Sequence, residues 1–343
     1  MPTYPQDLQS LRHFSAAIGS DPLLIQAAGG NTSVKDGPVM WIKASGTLLA
    51  DALTQDIFVP VDLPAMQSAI AERQPRADRP AEFALAGTLR PSIETSLHAV
   101  FSQAIVVHVH CVNTLAIVIR PDAKAVLAER LQGFDWAFVP YAKPGAQLAA
   151  LVMDALGPRT EVMLLGNHGL IVAAETVEAA QALLARTVAA LQAPVRSLRQ
   201  PDPRALAACA TSNFTALPTD HPAHQLALFP DLTATADAGS LYPDHVIFLG
   251  IGITLLAKDE TCDEATARRA ASGLTPPALV LLPGAGALMP VDAAPSALAL
   301  ARCLGDVLVR LPEGAAVQTL TFQQNADLLN WDAEKYRQTL NAG

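Results

Sequence analysis

The chain has 343 residues, 51% hydrophobic and 16% charged, enough to bury a sizeable core in one large or two ordinary domains. Its 23 basic and 32 acidic residues leave a net charge of −9, and the few Lys and Arg are scattered, which argues against nucleic acid or anionic lipid as a partner. Cys111, Cys209, Cys262 and Cys303 stand far apart without a C-x-x-C pair and read as reduced thiols. The N-terminal stretch MPTYPQDLQSLRHFSAAIG has no basic segment followed by an apolar one, and no apolar run is long enough to span a bilayer, so the cytoplasm is the expected location.

Residues 5–19 carry Leu8, Leu11, Phe14, Ala17 and Ile18 at helical spacing, and the chain then breaks at Gly29–Gly30. The apolar, β-branched runs VMWIKAS (39–45), AIVVHVHCV (104–112) and EVMLLGNHGLIVAA (161–174) predict strands of one sheet. Helical stretches are expected at 64–73, 93–102, 123–132 and 145–156, and a long amphipathic helix over 176–199 opens at a Thr cap. These elements make a first domain of residues 1–205.

The composition then shifts to Pro, Thr and Asp, and residues 206–239 read as a connector. Beyond it, HVIFLG (245–250), ALVLLPG (278–284) and AVQTLTF (316–322) are expected strands. They alternate with helices near 263–273, 293–310 and 323–340, which makes 240–343 a smaller C-terminal α/β unit. Eight βα units are absent, which argues against a TIM barrel. Gly284-Ala285-Gly286 is a poor dinucleotide fingerprint, since Met289 stands where the third glycine belongs, and reads better as a βα packing turn.

The segment PSIETSLHAVFSQAIVVHVH (91–110) gathers Glu94 and three of the eight histidines. His108 and His110 are two apart on an expected strand, so their side chains leave one face and can share an ion. A catalytic zinc site takes three protein ligands and leaves a position for water or substrate, so a third ligand is needed. His168, between Gly166 and Gly169, is the candidate, its glycine neighbours permitting close backbone approach. Zn²⁺ or another divalent transition metal is the implied cofactor.

Glu94 and His98 are four apart on the helix that Pro91–Ser92 opens and so share a face before the HVH strand. Glu94 suits a fourth ligand that becomes a proton acceptor when substrate arrives, and His98 suits a supporting role behind the ligands. Three polar turns lie nearby in sequence: Gly30, Asn31, Thr32 and Ser33 in GGNTS, Ser45 and Gly46 in KASG, and Ser92. None is a Walker A loop, and together they suit one phosphate.

GGNTS, KASG, PSIETSLH, HVH and GNHG, in this order across residues 25–175, resemble the class II aldolase/adducin family. The wording is most similar to the rhamnulose-1-phosphate aldolase domain of bifunctional aldolase–dehydrogenases, and the segments at Pro243–His245 and Pro283–Gly286 extend the likeness toward the C-terminus. The resemblance implies a three-layer α/β/α domain with a central, mostly antiparallel sheet, assembled as a homo-oligomer, with a tetramer favoured. It implies zinc on His108, His110 and His168, with Glu94 as acid/base. Gly30, Asn31, Thr32, Ser45, Gly46 and Ser92 would hold the phosphate of a small-molecule sugar phosphate, and Tyr141 would line the pocket.

The implied reaction is reversible retro-aldol cleavage of a ketose 1-phosphate or related sugar derivative, the enediolate being held by the metal. A sugar-phosphate 4-epimerase, a 3-keto sugar acid phosphate decarboxylase and a non-catalytic adducin-like assembly domain are the alternatives. Where fuculose-phosphate aldolases carry a second serine before the glutamate, this chain has Ile93. The tyrosine that the family uses to protonate the departing aldehyde has no match in AIVIRPDAKAVLAERLQ. The six lysines follow no barrel pattern, which disfavours a Schiff-base aldolase.

Overall fold

A computed structural model describes residues 4–330. The described chain folds as two compact units, one of residues 4–118 together with 122–192, the other of 119–121 together with 193–330.

The first unit runs α1 (Leu8–Gly19), β1 (Asn31–Asp36), β2 (Val39–Lys43), β3 (Phe58–Asp62), α2 (Leu63–Ala71), α3 (Thr95–Ala99) and β4 (Ile105–Val109). It continues with α4 (Val112–Val118), α5 (Ala123–Arg130), β5 (Trp136–Val139), α6 (Ala146–Ala155), β6 (Val162–Leu165), β7 (Gly169–Ala174) and α7 (Val177–Ala190). Its strands form one sheet in the order β3-β2-β1-β4-β7-β6-β5, antiparallel at every step except β5 with β6.

Two-residue alternation sorts side chains to the two faces of this sheet. On one face Met40, Ile42 and Val61 pack with Leu63, Met66 and Ile70 of α2 and Ala99 of α3. Val106, Met163, Ile171 and Ala173 continue that face against Leu97 of α3 and Leu148 and Val152 of α6. Helices α1 and α7 pack on the other face, against β1, β4 and β7. The unit is therefore a three-layer α/β/α sandwich around a mostly antiparallel sheet, as expected.

Three first-unit expectations are corrected. EVMLLGNHGLIVAA is a hairpin of two strands, because Gly166, Asn167 and His168 form its turn and Asn167 takes a left-handed φ of 51°. The helix of 93–102 shrinks to Thr95–Ala99. The long helix keeps its Thr176 cap, whose side chain accepts from the Ala179 N–H, but stops at Ala190. Pro194 explains the stop: its ring cannot be accommodated in an interior helical turn, and it disfavours helical geometry at the residue before it. The division between units falls there, at Gln192–Ala193, rather than at residue 205.

The second unit comprises α8 (Pro203–Cys209), β8 (Phe214–Ala216), α9 (Gln225–Leu228), α10 (Pro230–Asp237), α11 (Pro243–Leu249) and β9 (Thr254–Leu255). It goes on through α12 (Cys262–Ala271), β10 (Val280–Leu282), β11 (Gly286–Pro290), α13 (Pro295–Leu308) and α14 (Phe322–Leu329). Four strands pair in the order β8-β11-β10-β9. Within residues 206–239, β8 pairs Phe214–Ala216 with β11, so that part of the expected connector belongs to this sheet.

HVIFLG is helical, not extended. Pro243 supplies a helix-ready φ at the first turn, every residue of 243–249 is buried, and Gly250 ends the helix at φ 82°. A short, uniformly buried apolar run has no periodicity to separate strand from helix. AVQTLTF is not a strand: residues 316–321 have no regular structure and Phe322 opens α14, while the backbone N–H groups of Gln318 and Leu320 donate to the carbonyls of Ile119 and Ser240. The Gly284–Gly286 segment joins two antiparallel strands, so it is a ββ turn and not a βα turn. The part of the expected last helix beyond residue 330 lies outside the described residues.

Candidate metal centre and acid–base site

β4 sits at the middle of the large sheet, with β1 on one side and β7 on the other. Register places Asn31 opposite His108 on one side and Ile171 opposite His108 on the other. The β6–β7 turn then swings His168 to the end of β4, where His108, His110 and His168 bring a ligand atom each within 4.8 Å of one another, all buried. Glycines make this approach possible. A Cβ on Gly169 would lie 2.6 Å from the Val109 carbonyl oxygen, 3.2 Å from His108 Cε1 and 3.3 Å from His110 Cδ2. One on Gly166 would lie 2.9 Å from the Tyr141 backbone nitrogen.

The donor set fits a divalent transition metal. The Nδ1–H of neutral His108 donates to the Leu170 carbonyl at 3.1 Å, so its Nε2 offers a lone pair to the centre. His108 Nε2 and His110 Nε2 are 3.1 Å apart, Glu94 Oε1 is 3.3 Å from His168 Nε2, and Glu94 Oε2 is 3.5 Å from His108 Nε2. These three separations are of the order expected between neighbouring ligands of one zinc ion, about 3.3 Å.

Glu94 precedes α3 at its N-cap position, makes no side-chain capping bond, and is buried. Burial resists ionisation of its carboxyl, but the imidazoles of His108, His168 and His110 and the amide of Asn31 outweigh it and bring the pKa down to about 2. Asn31 donates from Nδ2 to Glu94 Oε2 at 2.8 Å and to Ser92 Oγ at 3.3 Å. Its oxygen pairs with His98 Nε2, and His98 Nδ1 lies 2.7 Å from Ser33 Oγ. Burial, with His108 nearby, drives His98 well below the usual imidazole range, so it is neutral at physiological pH. The hydrogen bonds of His98 thus go to Asn31 and Ser33 and not to His108, His110 or His168.

The same face of β1 carries Lys35, whose Nζ donates to the carbonyls of Phe101 at 2.7 Å and Gln103 at 2.9 Å. Burial lowers its pKa to about 7 against the opposing charge of Glu175. Asn31, Ser33 and Lys35 thus hold residues 92–103 at three successive points along one strand face. Lys43, almost completely buried, donates to the carbonyls of Ala28 at 2.9 Å and Gly30 at 3.1 Å and so ties down the turn that precedes β1. The roles of Ser33, Lys35 and Lys43 were not expected; the signal was the polar alternation Asn31, Ser33, Lys35 in a segment whose glycines read as a turn.

The polar turns come together only in part. Ala44 and Pro91 form a bridge, flanked by bonds from the Ser45 N–H to the Arg90 carbonyl at 2.9 Å and from the Ser92 N–H to the Lys43 carbonyl at 3.0 Å. This short ladder joins Ser45 and Gly46, the latter at φ 78°, to Ser92. Gly30, at φ 61°, packs its backbone against Ile25 and the His108 carbonyl. Thr32 is corrected: its Oγ1 pairs with Ser15 Oγ of α1 at 2.7 Å, on the opposite face of the sheet. Both N–H groups of Asn31 are engaged by Glu94 and Ser92, so holding an anion would cost one of those bonds. Tyr141 follows β5 beside the turn that carries His168.

Residues 19–193 match the model of the class II aldolase and adducin N-terminal domain. The chain belongs to the class II aldolase/adducin family. A curated relative, the uncharacterized oxidoreductase YuxG of Bacillus subtilis (strain 168), is 30% identical over 190 residues, which are 51% of this chain and 27% of that protein. The chain thus spans about a quarter of the curated relative that it matches, and an activity named for the whole of it does not transfer. Among solved structures, the N-terminal class II aldolase domain of a conserved protein from Thermoplasma acidophilum is 26% identical. That match covers 56% of this chain and 94% of the other, at a TM-score of 0.49. The L-fuculose-1-phosphate aldolase of Thermus thermophilus is 19% identical, with 54% and 93% covered and a TM-score of 0.38. No helix among the described residues is long and apolar enough to cross a membrane.

Proposed function

We propose that the first unit of this class II aldolase/adducin family member is a metal-dependent carbon–carbon lyase. Its substrate would be a ketose 1-phosphate or a related sugar derivative, cleaved reversibly to a dihydroxyacetone-phosphate-type fragment and an aldehyde. The observation that carries the reading is the convergence of His108, His110 and His168 beside the buried Glu94 carboxylate at ligand-to-ligand distances. An assembly domain without catalysis has no use for that set.

His108, His110 and His168 would hold the ion, zinc or another divalent transition metal, with Glu94 beside them. When bound, such an ion supplies Lewis-acid stabilisation for negative charge on substrate oxygens during carbon–carbon cleavage. Glu94 is the acid/base: in the condensation direction it takes a proton from the carbon next to the ketone, and in cleavage it returns that proton to the same carbon. Of its two oxygens, Oε2 is held by Asn31, and Oε1 accepts no hydrogen bond among the described residues. Oε1 is therefore the proton-transferring atom.

Ser92 Oγ accepts from the Glu94 N–H at 3.2 Å and from Asn31, so its own O–H is the group to donate to a phosphate, joined by the Ser45–Gly46 turn. Support for the phosphate handle comes from the ladder that brings these two segments together. Assembly as a homo-oligomer, with a tetramer favoured, and a cytoplasmic location belong to the same proposal. The test is a retro-aldol screen of phosphorylated and free ketoses with metal-loaded and metal-stripped protein. Metal-dependent release of dihydroxyacetone phosphate supports the reading, whereas an epimerised ketose or released carbon dioxide would move the protein to a sister reaction.

A further inference from the structure

We propose that His98 is a positioning residue that fixes, through Asn31, which oxygen of Glu94 transfers the proton; the inference rests on the lyase reading of the site. His98 is wholly buried, and its hydrogen bonds go neither to the three histidine ligands nor to the open side of the centre. Its two ring nitrogens are both engaged, by Ser33 and by Asn31.

Donor and acceptor accounting leaves one arrangement. The Glu94 carboxylate only accepts, so the Asn31 nitrogen must face it, which turns the Asn31 oxygen toward His98. That oxygen only accepts, so His98 must carry its proton on Nε2. The lone pair is then on Nδ1, where the Ser33 hydroxyl donates to it at 2.7 Å. The directed chain runs from Ser33 O–H to His98, from His98 Nε2–H to Asn31, and from the Asn31 amide to Glu94 Oε2.

The opposite tautomer would set the Nε2 lone pair against the Asn31 oxygen. Flipping Asn31 to relieve that clash would set its oxygen against the Glu94 carboxylate. Each alternative buries a pair of facing acceptors, a costly arrangement in a buried site. His98 therefore locks the Asn31 amide, and the amide in turn locks Oε2 and leaves Oε1 for chemistry. Neutral imidazole suffices for this work, and no proton moves along the chain during the reaction.

The test uses the full-length protein in three readouts. Long-range ¹H–¹⁵N correlation spectra of the histidine rings, taken without substrate, are expected to show His98 as the neutral Nε2–H tautomer from pH 6 to 8. A neutral Nδ1–H tautomer or an imidazolium there would overturn the arrangement. In the zinc-loaded protein, His98→Ala is expected to slow deuterium exchange from solvent into dihydroxyacetone phosphate by about 10- to 100-fold through kcat, the usual scale for a supporting hydrogen-bond partner. Zinc affinity and KM are expected to stay within about threefold, a margin well inside that scale.

His98→Gln, which retains an amide N–H donor, is expected to recover part of the rate. The double variant His98→Ala/Asn31→Ala is expected to be no slower than Asn31→Ala alone, because the two residues act in series. Additive losses, or exchange by His98→Ala at the wild-type rate, would overturn the positioning role. A wild-type protein that catalyses no exchange sinks the lyase reading and with it any role for His98 in proton transfer, while the tautomer spectrum still judges the hydrogen-bond chain by itself.

Discussion

Asn31 and His108 face each other across the β1–β4 ladder, and the amide of Asn31 reaches Glu94 at 2.8 Å while the Nε2 of His108 lies 3.5 Å from the same carboxylate. One register pair thus places a residue of the candidate metal centre beside a partner of the proposed acid/base carboxylate. A slip of one residue in that pairing would send Asn31 and Ser33 to the α1 face and bring Thr32 to the centre.

Glu94→Gln separates binding from chemistry. The neutral amide keeps the shape of the carboxylate, so the three histidines should still take up one equivalent of metal, while loss of the acid/base group lowers kcat by about 10²- to 10⁴-fold. Metal titration of the purified variant beside its turnover is the check. A variant that turns over at the wild-type rate would remove Glu94 from the proposed chemistry.

Gly169→Ala probes the close approach of the β6–β7 turn. Its new Cβ would press on the Val109 carbonyl, His108 and His110, so these two candidate ligands must shift although neither is altered. Metal affinity is expected to fall by about tenfold or more, on the scale of a disturbed ligand support. Gly157→Ala, where the added Cβ meets only Thr160 Oγ1 at 3.4 Å, should leave the affinity unchanged. Calorimetric titration with zinc distinguishes the two.

Thr32 and Ser92 should respond in opposite ways. Thr32→Val breaks the buried bond to Ser15 and is expected to cost about 1–3 kcal/mol in urea unfolding, with KM unchanged. Ser92→Ala is expected to raise KM for a phosphorylated ketose more than for its unphosphorylated counterpart. Equal changes for the two substrates would remove Ser92 from phosphate recognition.

The second unit should contribute to acid sensitivity through His245. Burial lowers this imidazole to about 3, whereas an unfolded histidine titrates at about 6.5. Between those values the unfolded chain binds a proton that the folded chain refuses, so this contribution is complete above about pH 6.5 and is lost as pH falls toward about 3. Its slope is about 1.4 kcal/mol per pH unit. His245→Asn, which keeps an acceptor for the Leu241 N–H that Nδ1 now receives at 3.3 Å, should flatten the acid limb of unfolding. An unchanged slope would contradict this.

Much of the first unit was legible because its strands are β-branched runs with clear bounds and two of its candidate ligands follow strand spacing. His108 and His110 on one face of β4 needed only the two-residue period. What was hidden depended on pairing. Nothing local in GGNTS says that Asn31 opens a strand, and only that strand sends Asn31 and Ser33 to the site and Thr32 away from it. His168 was found through its glycines, but the hairpin that delivers it became visible only with β6 and β7 paired. In the second unit, buried apolar runs such as Pro243–Leu249 carry no period on one side, and tertiary burial, not propensity, decided their state.

Metal-dependent cleavage is best tested by zinc titration of the metal-stripped protein coupled to an assay for dihydroxyacetone phosphate released from ketose 1-phosphates. One zinc per chain, cleavage that appears in step with binding, and loss of both in His108→Ala are the expected results. A protein that binds no divalent metal, or a His108→Ala variant that cleaves at the wild-type rate, would contradict them.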